Sequence, residues 1–445
     1  MMAVPGRNAP AAPGIAASIG QARLDPGWFS RLALLLFMLA AVLGATACTQ
    51  KFVRNGLPVA MLDEARPLGR DGLRMWGDFN TPEEIERLMI NRAASLRKRF
   101  AAEFAAGNTP RLHFLALSGG GADGAFGAGV LRAWTESGDR PEFDAVSGIS
   151  TGAITAPFAY LGSDYDDVLE EFYTTMSTDD VLVKTIFSGL TAGTALSSTA
   201  PLRAMIAEYL TPELLAEIAA EHAKGRLLLV GTTNLDARRP VIWNMGAIAA
   251  SGHAGALELF RDVILASAAI PIAFPPVFIQ VEAGGKLYDE MHVDGAATSQ
   301  VTLISPQVPI YLTRQYLGHE IDRELYVIIN KRIIPPYETV RPRIHAIGAA
   351  SVVSMIAALG IGDLYKLFAI TKRDNMGFHV AWIPDSFLEE SEEAFDPVYM
   401  RKLYDFGRNL AAAGNLWSAY PPYFTTPDSQ EHLVRHGVSP GQNGS

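Results

Sequence analysis

Cysteine is almost absent from this 445-residue chain. Cys48 stands alone, which excludes an intramolecular disulfide and any cysteine-based metal site. Dense basic runs are absent too. Lys and Arg number 37 against 47 Asp and Glu, a formal net charge of −10, so the chain does not read as a nucleic-acid binder. No acidic cluster has the spacing of a calcium loop, and neither a metal nor a cofactor is expected. Internal repeats and a persuasive second domain boundary are also missing, which favours one large domain. What is abundant is apolar: 49% of the residues are hydrophobic, too many for a disordered chain and enough for a large core.

The apolar run Leu32–Ala47 covers 47 − 31 = 16 residues. That is shorter than the roughly 20 of a spanning helix. Arg23 and Arg31 precede it and small residues follow, the order of an export signal. Ala45-Thr46-Ala47-Cys48 resembles a bacterial lipoprotein lipobox, with Ala45 where leucine is usual. The resemblance implies lipidation of Cys48 and loss of residues 1–47. The expectation is therefore an exported, membrane-anchored lipoprotein, with Thr49 favouring the outer membrane if the cell is Gram-negative. An ordinary signal peptide or signal anchor is the alternative.

Residues 48–75 read as a tether, 76–420 as the folded domain and 421–445 as a loose tail. Thr81-Pro82-Glu83-Glu84 starts a helix expected to run to about Ala106. Leu112–Leu117 reads as a buried strand, Ala125–Ser137 as a helix, Phe143–Val146 as a strand and Gly152–Leu161 as a helix. That alternation implies an α/β domain with a mostly parallel sheet. Further strands are expected at Leu227–Thr233, Val241–Trp243, Val277–Val281 and Leu325–Ile329. Further helices are expected at Pro201–Leu210, Pro212–His222, Ala256–Ala268, Pro342–Ile370 with a break near Gly360 and Gly362, and Pro397–Ala413. Ser351–Gly362 is apolar or small on nearly every face, a pattern that predicts burial, with membrane contact as the minor alternative. Ile270–Ile279 is equally apolar and reads either as core or as the lining of an acyl channel.

Three segments carry chemistry. Gly119-Gly120-Gly121 follows a strand and precedes a helix, so its N–H groups can face negative charge. Alone it fits an oxyanion hole or, as G-x-G-x-x-G through Gly124, a dinucleotide loop equally well. Gly148-Ile149-Ser150-Thr151-Gly152 is G-x-S-x-G between strand and helix. Its flanking glycines, Gly148 and Gly152, relieve crowding around a strained nucleophile. A serine needs a base. Asp294, in Asp294-Gly295-Ala296, can serve directly. Alternatively a histidine completes a triad, since eight of the nine follow Ser150; His292 reads as a polar neighbour of the loop.

In combination these segments resemble the patatin-like phospholipase family. Ala266-Ser267-Ala268-Ala269-Ile270-Pro271 is similar to that family's A-S-x-A-x-P segment, and the four motifs span residues 112–300 in the family's order. The resemblance implies a three-layer α/β/α domain and lipid acyl-hydrolase activity through a Ser-Asp dyad. It casts Ser150 as nucleophile, Asp294 as base, and Gly119, Gly120 and Gly121 as the oxyanion loop. Its implied partners are a lipid or ester substrate and, through Cys48, a membrane surface. One position departs from the pattern. Asp123 stands where the family has a basic residue, and it is expected to turn away and cap the next helix. An α/β-hydrolase-type esterase with a Ser-His-Asp triad and a non-catalytic lipid-binding lipoprotein are the competing readings.

Overall fold

The computed structural model describes residues 54–181, 183–184, 197–335, 337 and 339–424. Cys48, the apolar run before it and most of the expected tail lie outside the described residues.

Ten strands form one sheet. They are β1 (Arg66–Pro67), β2 (Arg74–Trp76), β3 (Arg111–Leu117), β4 (Ala145–Gly148), β5 (Leu227–Asn234), β6 (Arg239–Asn244), β7 (Val277–Ala283), β8 (Lys286–Asp294), β9 (Asp322–Arg332) and β10 (Gly377–Ile383). The centre runs β5-β4-β3-β9-β10, all parallel. Antiparallel strands extend it beyond β5: β8, β7 and β1 in one direction, β6 and β2 in another.

Alternation along β3 sorts the layers, because successive side chains of a strand point to opposite faces. Leu115 and Leu117 join one buried cluster, with helices α2 (Gly124–Glu136), α3 (Thr151–Leu161), α6 (Ala256–Ser267) and α8 (Pro397–Ala412). Phe114 and Ala116 join another, with α1 (Pro82–Arg99) and the end of α7 (Ile344–Arg373). Between them, α4 (Ala200–Tyr209) and α5 (Pro212–Ala223) add Leu202, Ile206, Leu214 and Ile218 to the first cluster. The result is the expected three-layer α/β/α domain with a parallel central sheet.

Local signals act as chemistry dictates. Thr81 and Glu84 form a reciprocal capping box at the start of α1, which satisfies two otherwise orphaned donors. The helix stops at Arg99 and a separate turn covers Ala101–Ala105, so the single helix to Ala106 is corrected to two.

Three other expectations change. The described part of the supposed tether is built into the sheet: β1 pairs with β7, β2 pairs with β6, and Asn55 O accepts the Asp289 N–H at 2.8 Å. No break occurs at Gly360 or Gly362; α7 runs unbroken over 30 residues. Its first half is also not buried. Ile344, Ile347, Val353, Met355 and Ile361 are all exposed.

Candidate active site

The site arises where β5 changes partner. Along one edge, residues Leu227–Val230 pair with β4, ending with Gly148 opposite Val230. Two residues further on, Thr232 pairs with Asp294 at the end of β8. β6 occupies the other edge of β5. Two strand ends, distant along the chain, therefore converge on Gly231, one leading into Ser150 and the other finishing at Asp294.

A Cβ on Gly231 would press on Ile149 Cγ1 at 3.0 Å, a contact tight enough that the Ile149 side chain would have to shift. Gly295 is constrained more severely, by the Gly231 carbonyl oxygen 2.6 Å from where its Cβ would be.

Ser150 takes φ 56° and ψ −124°, a conformation that costs a non-glycine residue about 1–3 kcal/mol. Neighbouring contacts enforce it. A Cβ on Gly148 would collide with the Gly152 carbonyl, and one on Gly152 would lie 2.5 Å from Leu117 O. Ser267 of the A-S-x-A segment holds the turn from outside: the Ser150 N–H donates to its Oγ at 3.0 Å, and that hydroxyl donates to Gly231 O at 2.7 Å. The same segment fixes the other partner, because Asp294 N–H donates to Ala269 O at 2.9 Å. One short stretch, Ser267–Ala269, thus anchors both backbones.

Asp294 is 1% exposed. Its Oδ1 accepts the Ala296 N–H at 2.8 Å, and its Oδ2 is buried with no hydrogen-bond partner. The Ser150 hydroxyl is near enough to favour the ionised carboxylate, though the approach falls short of a full hydrogen bond. Burial pushes the Asp294 pKa up to about 6, against the Ala296 N–H, the Ser150 hydroxyl and the Lys331 charge, which pull it down. A base near 6 is better suited to proton transfer at neutral pH than an ordinary aspartate.

The glycine loop lies over the serine: a Cβ on Gly119 would be 3.1 Å from Ser150 Cβ. Its Gly119 N–H is already committed to Gln300 O at 3.1 Å. Among the described residues, the Gly120 and Gly121 amides have no partner, which leaves these two as donors for an oxyanion. Asn330 braces the loop from β9, with Nδ2 donating to Ser118 O at 3.1 Å and Oδ1 accepting from Gly127 N at 3.1 Å. A Cβ on Gly120 would strike the Asn330 carbonyl.

Contrary to expectation, Asp123 does not cap α2. Its side chain makes no cap bond and instead accepts the Tyr399 hydroxyl at 2.6 Å. Burial raises its pKa, opposed by Tyr399, Lys331 and Arg332. Lys331 follows Asn330 in β9 and is drawn by both Asp123 and Asp294, while burial depresses its own pKa. A cation therefore reaches this region from β9 rather than from the loop, and no motif in the sequence marked it.

His292 is fully buried, with Nδ1 3.0 Å from Thr232 Oγ1 and Nε2 3.3 Å from Glu290 Oε2. It belongs to a structural network with Arg74 and Glu290. Among the described residues, no histidine bonds to Ser150 or Asp294. No metal-competent cluster of His, Cys, Asp and Glu occurs among them either.

The larger cavity, about 460 Å³, lies between residues 62–76, α1 and the sheet, and reaches neither Ser150 nor Asp294. A smaller one, about 320 Å³, is lined by Gly231 and by Ile149 and Gly295, the chain neighbours of Ser150 and Asp294, but by neither Ser150 nor Asp294 themselves. In the stretch Ile270–Ile279, Phe274, Val277 and Ile279 are core, as the first reading expects, and Ile272 is exposed with φ 75°; no residue of the stretch lines either cavity.

Residues 115–305 match the family model described as patatin-like phospholipase. A search of curated proteins found no match. Among solved structures, the chain is similar to VipD from Legionella pneumophila, at 13% identity over 69% of this chain and 67% of that one, with a TM-score of 0.35. It is also similar to the type III effector protein ExoU, at 14% identity over 68% of this chain, with a TM-score of 0.28. The chain spans about half of ExoU, 52%. Those superpositions are loose, and the fold assignment stands on strand order and on the family match.

Proposed function

From the patatin-like phospholipase domain that residues 115–305 form, we propose that this protein is a serine acyl hydrolase acting on lipid esters through a Ser150–Asp294 dyad. The observation that carries the reading is the convergence of Ser150, in its strained turn, and the buried Asp294 on Gly231 of β5, beneath the free amides of Gly120 and Gly121.

The Asp294 carboxylate accepts the Ser150 proton as Oγ attacks the ester carbonyl. The Gly120 and Gly121 amides receive the developing oxyanion, where preorganised donors act most strongly. The proton passes from Asp294 to the leaving alcohol, which departs and leaves an acyl-serine. Water, deprotonated by the same carboxylate, then releases the fatty acid and restores Ser150. A Ser-His-Asp triad is disfavoured by the committed bonds of His292. Acyl transfer to an alcohol other than water uses the same residues. Lipidation at Cys48 is compatible with such a substrate, and a mass shift of the mature N-terminal peptide tests it.

A panel of phospholipid, glycerolipid and short-chain esters, assayed on wild type beside Ser150→Ala, tests the activity. At least one ester should be hydrolysed by wild type and left intact by Ser150→Ala, a loss of at least a thousandfold (about 4 kcal/mol). Equal activity in the two proteins would overturn the assignment.

A further inference from the structure

The first half of α7 has no place in the core. Residues 344–362, or 362 − 343 = 19 positions, contain no Asp, Glu, Lys or Arg. At about 1.5 Å per residue they extend about 28 Å, close to the roughly 30 Å of a bilayer's hydrocarbon. The most apolar stretch of this helix has a mean hydropathy of 1.8, and only 12% of it is buried. Exposure is not confined to one face. Ile344 (91%), Ile347, Val353, Met355 and Ile361 are exposed, and the 3.6-residue repeat sets Val353 opposite Ile344 and Met355.

The two ends differ. Just before the helix, Tyr337 is 94% exposed, and Arg341 and Arg343 are exposed with no acidic partner among the described residues. At the other end Asp363, Leu364, Leu367 and Phe368 are buried. Asp363 Oδ2 accepts from Gln300 N at 2.6 Å and from Ser299 Oγ at 2.9 Å. Gln300 O in turn accepts the Gly119 N–H. The apolar arm is therefore tied, through one residue, to the loop over Ser150.

We propose that this arm is a membrane-docking element that enters an anionic lipid bilayer and brings the lipid surface to the site. A second copy of the chain would cover one face, whereas hydrocarbon covers a helix that exposes apolar side chains on opposite faces. Arg341 and Arg343 match anionic headgroups, and Tyr337 suits the interfacial zone. The purpose of docking rests on the lipid-hydrolase reading, but the docking itself does not require turnover.

The test uses the full chain carrying Ser150→Ala and Cys48→Ser, which removes hydrolysis and any acylation at Cys48. Val353→Cys is then labelled with an environment-sensitive fluorophore and mixed with phosphatidylcholine vesicles with and without phosphatidylglycerol. The expected result is a blue shift and quenching by lipid-borne quenchers on anionic vesicles, absent from the same label at Glu213→Cys. Adding Arg341→Glu and Arg343→Glu should weaken the response at least tenfold. A label at position 353 that stays in water with every vesicle overturns the proposal. So does a shift that needs only higher protein concentration, which means self-association. Hydrolysis of a soluble short-chain ester by the protein with Ser150 intact is read in parallel. Its survival without vesicle binding refutes docking alone, and its loss with binding intact refutes the hydrolase reading alone.

Discussion

At the scale of single residues the site is held by a few costly choices. Ser150 adopts a backbone conformation it would not choose, and Asp294 keeps a carboxyl group where burial penalises its charge. Raising the Asp294 pKa from 3.8 to about 6 means that its contribution to stability is full below 3.8 and is lost as pH rises through 6. At neutral pH the native carboxylate therefore costs about 3 kcal/mol. Asp294→Asn should raise the unfolding midpoint in urea at pH 8, leave it nearly unchanged at pH 4, and abolish ester hydrolysis. In wild type, kcat/KM should rise with pH through about 6. The serine, the aspartate and the glycines were legible because each is locally encoded: strained turns need glycine, and the motifs keep a fixed order. The fate of Asp123 was not, because its partner Tyr399 is 276 residues away. Lys331 was illegible for the same reason, being brought in by β9 packing beside the loop.

At the scale of elements, Ser267–Ala269 is the brace. It ties the Ser150 amide, the Gly231 carbonyl and the Asp294 amide into one arrangement. Ser267→Ala leaves the Ser150 N–H without its acceptor, at a cost of about 1–3 kcal/mol. It should lower kcat by about tenfold or more with little change in KM, while circular dichroism shows a folded protein; Ser267→Thr should recover part of the rate. Most elements could be read from apolar runs and caps. β8 and β10 could not, since Lys286–Asp294 is interrupted by charges and Gly377–Ile383 follows a long helix without a turn motif. The burial expected for Ser351–Gly362 failed because an all-round apolar helix has two solvents available, a protein core and a membrane, and periodicity does not separate them.

At the scale of the whole molecule, the segment before α1 closes one side of the sheet. Arg74 of β2 pairs with the buried Glu290 of β8, two residues from His292 and four from Asp294. Burial alone would raise the Glu290 pKa, but the bonds from Arg74 and His292 outweigh it and hold it at about 2. Its stabilisation is present above the ordinary 4.5 and is lost as pH falls toward 2. Glu290→Gln should destabilise the fold by about 3 kcal/mol at pH 7 and flatten the pH dependence of the urea midpoint between 4.5 and 2. This architecture was only partly visible in the sequence. Two- and three-residue strands such as β1 and β2 carry too little pattern to distinguish a sheet edge from a tether. In the proposed mechanism this architecture presents Ser150 to an ester. Treatment with a fluorophosphonate, followed by peptide mapping, examines that serine directly. The account predicts a single adduct on Ser150, lost in Asp294→Asn. A protein that hydrolyses esters while Ser150 stays unlabelled, or that labels elsewhere, would contradict it.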